Sequence, residues 1–121
     1  MVSTKYRDIE VRVSGVRLSP TRTKVSCRNF ELFVDKLGGE APSPLDLTLA
    51  SLIGCLNITA TLVARDMGIG IDDASFEAVG IFNPSVFYGK GGPRAGYREV
   101  KVLVRLKTNA DEEKLKEFIR R

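Results

Sequence analysis

Hydrophobic and polar positions alternate near both ends of the chain and merge into one long apolar run in its middle. Over residues 5–13 the alternation sets Val11 and Val13 against Arg12, the pattern of a half-buried strand. Ser14-Gly15 and Ser19-Pro20 then read as turns. Segments 22–28 and 30–35 predict two further short strands, with Phe30, Leu32 and Val34 on one face, so the first third reads as an antiparallel meander. Residues 37–42 are a loop by composition. Further on, residues 75–82 alternate again, and 97–107 give the clearest strand, with Val100, Val102, Val104 and Leu106 on one face. Residues 83–96 between them are rich in Gly and Pro, with Phe87 and Tyr88 inside. Asn109 and the acidic run Asp111-Glu112-Glu113 open a last helix whose apolar stripe is Leu115, Phe118 and Ile119.

The middle run predicts a helix with both ends marked. Ser43 suits the N-cap, and Pro44 the first helical position, where its missing N–H costs nothing. Asp46, three residues after Ser43, can close a capping box. Gly68 stops the helix after Met67. From Leu47 to Ala64 eighteen consecutive residues carry no charge, the length of a membrane span. Thr48, Ser51, Asn57, Thr59 and Thr61 make the run polar for lipid, and the better reading is a helix covered by protein on nearly all sides. One chain of 121 residues has little material to cover a helix about 35 Å long, so a homodimer is expected to bury the remaining face.

Composition narrows the chemistry. The chain has 43% hydrophobic and 28% charged residues, which is globular, and its length fits a single domain over 1–121. It contains no histidine, so histidine-based triads, dyads and metal ligands are excluded, and two cysteines cannot close a structural zinc site. No metal and no cofactor is expected. The net charge of +4 arises wholly in residues 94–121, where basic residues alternate with valines or mix with acids. That is a solvated face and not a nucleic-acid patch. Residues 1–10 have no apolar h-region, and two cysteines form no secreted-type disulfide framework, so the expectation is a cytoplasmic protein with reduced thiols and no membrane partner.

Cys55 lies near the middle of the long helix. At about 100° per residue, Thr48, Ser51, Cys55 and Thr59 share an arc of about 80°. As a packing residue the thiol would be a small apolar filler among small neighbours. As a nucleophile it would need a cation to stabilise its thiolate, and with no histidine the always-charged candidate is an arginine, which the spacing alone does not single out. Asp46 lies nine residues earlier, on the opposite helix face and about 13 Å away along the axis, so it can cap its own helix or meet a partner chain. Cys27, on a short strand, is either an apolar filler or a second thiol for Cys55.

The stretch Phe33-Val34-Asp35-Lys36-Leu37-Gly38-Gly39, then Pro42-Ser43-Pro44-Leu45-Asp46-Leu47 and Gly54-Cys55, resembles the OsmC/Ohr family. Arg94-Ala95-Gly96-Tyr97 before an alternating strand resembles the branch outside its best-known peroxidases. The resemblance implies an α+β fold, an antiparallel sheet packed on a long central helix, in two interlocked chains. It implies thiol-dependent reduction of organic hydroperoxides in oxidative-stress defence, with a small peroxide as substrate and an external dithiol as reductant. Cys55 matches the attacking cysteine, Arg17 the arginine that activates it, with Arg22 and Arg94 among the other arginines open to that role, and Asp46 stands one residue after the place of the peroxidases' glutamate. The family's second cysteine lies beyond a C-terminal helix; this chain ends at Arg121 inside that helix, short of the family's C-terminal segment, and Cys27 matches no family cysteine. The alternative that these differences raise is a non-catalytic dimeric module of the same fold, holding an apolar ligand between its chains.

Overall fold

The computed structural model describes residues 7–83 and 97–120. Its elements are β1 (Ser14–Arg17), β2 (Thr23–Cys27), β3 (Phe30–Val34), α1 (Pro44–Met67), β4 (Ile71–Phe82), β5 (Tyr97–Thr108) and α2 (Glu112–Arg120). The chain divides into two compact units, Met1–Leu47 and Thr48–Arg121.

The first unit holds the meander. β1 and β3 flank β2 in an antiparallel sheet of order β1-β2-β3. Ser19 Oγ accepts the backbone N–H groups of Thr21 and Arg22 and so shapes the β1–β2 link. Cys27 pairs with Phe30 across a two-residue turn in which Arg28 takes a φ of 56°. The Arg28 guanidinium lies 5.1 Å from the centre of the Phe30 ring, a cation–π contact that links the turn to the strand. Residues 7–13, expected as a strand, lie outside regular structure, and Ser14-Gly15, expected as a turn, begins β1. Alternation makes a segment able to pair, but pairing needs a neighbour. The β1–β2 ladder starts at Ser14, opposite Ser26, where β2 is about to turn.

In the second unit β4 and β5 pair antiparallel over nearly their whole lengths, with bulges near each end. β4 begins at Ile71, four residues earlier than its alternation suggested, because β5 extends to Thr108 and offers it a partner. Gly80 pairs with Val100, and a Cβ there would fall on the Tyr97 ring, which also meets Phe82 edge-on at 6.3 Å. The absent side chain is what lets that ring lie over the strand.

α1 runs its 24 residues between the two expected stops. At its C-terminus Ile69 N–H donates to Ala64 O and Gly68 N–H to Arg65 O, a Schellman closure, with Gly68 at a φ of 68°. The expected cover on nearly all sides is not supplied by the described residues. Among the described residues Ala64 is the one buried apolar side chain, while Ile58 and Leu62 are more than half exposed. By length and composition, with a mean hydropathy of 1.8, α1 could cross a membrane. The Gly- and Pro-rich segment 84–96, with Phe87, Tyr88 and Arg94, lies outside the described residues.

Candidate active site

The start of α1 is fixed by a reciprocal cap. Asp46 Oδ2 accepts the Ser43 backbone N–H at 2.9 Å and the Ser43 hydroxyl at 2.9 Å, and Ser43 Oγ accepts the Asp46 N–H at 3.2 Å. Ser43 is only 1% exposed, so these bonds satisfy polar groups that water does not reach. The Ser43 N–H first, and then its hydroxyl, hold the Asp46 carboxyl below its ordinary range. Upstream, Asp35 is pinned in the same way. Its Oδ1 accepts Lys36 N–H at 2.7 Å and its Oδ2 accepts Glu40 N–H at 3.2 Å, and the Lys36 bond is the largest cause of its lowered pKa. Asp35 N–H donates to Pro42 O, which closes the Gly38-Gly39 loop just before the cap.

Three faces of α1 follow from its 3.6-residue repeat. Leu56, Thr59, Ala60 and Val63 form one face and line an apolar cavity of about 620 Å³. Its other walls are Phe76 of β4, Val102, Val104 and Leu106 of β5, and Leu115, Phe118 and Ile119 of α2, with Thr108 at the rim. Asn57, Thr61, Ala64 and Arg65 border a second, more polar cleft with Ile71 and Asp73. Ser51, Cys55, Ile58 and Leu62 form the third face, which is exposed apart from the polar members' own helix contacts. Cys55 is a free, exposed thiol at the border between this face and the cavity face. Its Sγ lies 4.0 Å from Thr59 Oγ1.

The arginines are distributed as follows. Arg17 ends β1 opposite Thr23, is exposed, and forms no ion pair among the described residues. Arg22 is committed to its own unit, 3.1 Å from Glu40 and 3.8 Å from Asp35. Arg94 lies outside the described residues. Cys27 is free and half-buried in β2. Within the first unit the structure joins Asp46 to Ser43, and not to Arg17. The cavity is not legible as a site in the sequence. Its signal was present in two stripes, 56/59/60/63 on α1 and 115/118/119 on α2, but each stripe alone reads as ordinary core.

A family model described as OsmC-like protein matches residues 37–121. The chain belongs to the OsmC family. The loop Gly38-Gly39, the cap Pro42-Ser43-Pro44 and the pair Gly54-Cys55 all fall inside that match. Two solved structures share the fold. One is an OsmC-like protein from Mycoplasma pneumoniae, with a TM-score of 0.80 at 22% identity, covering 94% of this chain and 80% of that one. The other is a candidate osmotic stress induced and detoxification response protein from Psychrobacter arcticus 273-4, with a TM-score of 0.71 at 23% identity, covering 95% of this chain and 82% of that one. No curated protein matches the chain. The OsmC fold accounts for the α+β architecture, the antiparallel pairing and the long helix that carries Cys55.

Proposed function

We propose that this OsmC-family chain is a cytoplasmic, thiol-dependent reductase of organic hydroperoxides that acts as a homodimer. The observation that carries the reading is the placement of Cys55: a free, exposed thiol in mid-helix, touching Thr59, which lines an apolar cavity of about 620 Å³. The cavity suits the organic group of a hydroperoxide, and the thiol reaches its lining through Thr59.

The Cys55 thiolate attacks the distal oxygen of ROOH. The O–O bond breaks, sulfur is oxidised to the sulfenic acid, and the leaving alkoxide takes a proton to become ROH. An external dithiol then displaces water from the sulfenic acid to form a mixed disulfide. Its second thiol releases Cys55 and leaves the reductant as a disulfide. No metal or cofactor enters this cycle. The family resemblance gives Arg17 the role of supplying positive charge for the thiolate, and among the described residues Arg17 forms no ion pair. Asp46 acts as a positioning residue: by capping α1 it fixes the helix that bears Cys55. The partner that covers the exposed Ile58 and Leu62 is a second copy of the chain. Neither lipid nor nucleic acid is a partner in this reading.

Mass spectrometry after one equivalent of cumene hydroperoxide tests the assignment. The expected product is Cys55 oxidised by one oxygen, trapped by a sulfenate reagent, with Cys27 unmodified. Unmodified Cys55 beside consumed peroxide overturns it. The second reading, a non-catalytic module holding an apolar ligand, is favoured by the cavity lining and by the Asp46 carboxylate being engaged in the cap. It is supported if Cys55→Ser leaves peroxide consumption unchanged.

A further inference from the structure

We infer that Thr59 is a catalytic residue of the Cys55 reaction, donating its hydroxyl hydrogen bond to the oxygen that leaves as alkoxide. The inference rests on the reading of Cys55 as the attacking thiol and adds a group that the reading does not assign. Two polar side chains line the cavity, Thr59 and Thr108. Thr108 is committed to the backbone: its hydroxyl donates to Gly70 O at 2.7 Å and accepts Ala110 N–H at 3.2 Å. The hydroxyls of Ser51 and Thr61, on neighbouring faces of α1, donate back to Thr48 O and Asn57 O. Thr59 differs from all three. Among the described residues its hydroxyl contacts the Cys55 sulfur, at 4.0 Å.

The geometry of the reaction gives that hydroxyl a task. A thiolate attacks the distal oxygen from about 3–3.5 Å, with the O–O bond directed away from sulfur. The proximal oxygen carries the organic group, and an apolar group is most stable in the apolar cavity. The leaving oxygen therefore lies between the sulfur and the cavity, where Thr59 stands. As the O–O bond breaks, negative charge gathers on this oxygen, and a donor held in place stabilises the charge without reorganisation. The hydroxyl donates as the alkoxide forms, and the proton that completes ROH comes from solvent. Electrons and atoms balance as in the parent reaction, since Thr59 is neither consumed nor oxidised.

The experiment compares Thr59→Val with Thr59→Ser in the full chain. Both fit the exposed helix position: valine keeps the branched shape and loses the donor, while serine keeps the donor. Two rates are read at one pH: Cys55 oxidation by cumene hydroperoxide in a single turnover, and Cys55 alkylation by iodoacetamide. Thr59→Val is expected to slow oxidation by roughly a hundredfold, the usual loss when one donor to a developing oxyanion is removed. Alkylation should stay within about threefold of the parent, and Thr59→Ser should recover most of the oxidation rate. Oxidation of Thr59→Val at the parent rate overturns the inference and leaves the proposed function standing. An equal fall in both rates also overturns it, since Thr59 would then act on the thiol itself. Alkylation without oxidation in the parent chain removes the proposed function and this inference together.

Discussion

Asp35 and Asp46 hold their carboxyl groups below the ordinary aspartate value of 3.8 through backbone N–H donors, Lys36 for the first and Ser43 for the second. Their linkage to folding therefore has a fixed sign. A carboxyl whose folded-state pKa is lowered stabilises the fold fully above its unfolded value and loses that contribution as pH falls through the folded value. Stability should be flat above about pH 5, one unit over the ordinary value, and should decline steadily below it. Asp46→Asn should flatten this acid limb and lower the midpoint of thermal unfolding at pH 7. Unfolding curves collected between pH 2 and pH 7 decide the matter, and an unchanged acid limb in Asp46→Asn would mean that the cap is not a source of it. The same residue shows what local sequence can carry. The Ser43-Pro44-Leu45-Asp46 spacing predicts the capping box because every partner lies within three residues, and the structure contains that box.

Elements that depend on partners far along the chain were less legible than those that depend on neighbours. α1 starts and stops at the expected residues because its cap and its Schellman closure are local. The strand expected at 5–13 has the right alternation, yet the ladder of the first unit begins at Ser14. β4 is longer than its own alternation suggests because β5 sets its length. The Gly80–Tyr97 contact is of the same kind. Nothing next to Gly80 in sequence asks for glycine, and the requirement comes from a ring seventeen positions later. Gly80→Ala should force the Tyr97 ring or the strand to move, at a cost of about 1–3 kcal/mol. Urea denaturation measures that cost. A variant as stable as the parent, with a shifted Tyr97 ring resonance, would show that the ring swings away freely.

At the scale of the molecule, the exposed apolar side chains matter most. Ile9, Val11, Ile58 and Leu62 are each more than half exposed, although their spacing is that of faces made for burial. A second copy of the chain would cover such faces, and five uncharged polar residues along α1 make lipid a poorer cover. Sedimentation should give twice the 13.3 kDa chain mass, and Leu62→Asp should shift the chain toward monomer by at least tenfold in dissociation constant. A monomer that floats with phosphatidylcholine vesicles would instead assign α1 to the membrane. A monomer that stays in solution would remove the second copy as the cover.

By itself the sequence determined the helix from Pro44 to Met67, its cap, the absence of histidine chemistry and the helical position of Cys55. All of these follow from short-range spacing or from composition. It also carried the family resemblance through the Gly-Gly, Pro-Ser-Pro and Gly-Cys signals, which lie close together along the chain. Only the tertiary structure decided that the apolar stripes of α1 and α2 meet β5 around one cavity, and that Thr59 is the hydroxyl left facing both the sulfur and that cavity. It likewise decided that Arg22 is engaged by Glu40 and Asp35 while Arg17 has no ion pair among the described residues. The physical reason is the range of the interactions. Caps and turns are closed within a few residues, whereas a cavity or an ion pair depends on which distant segments the fold brings together.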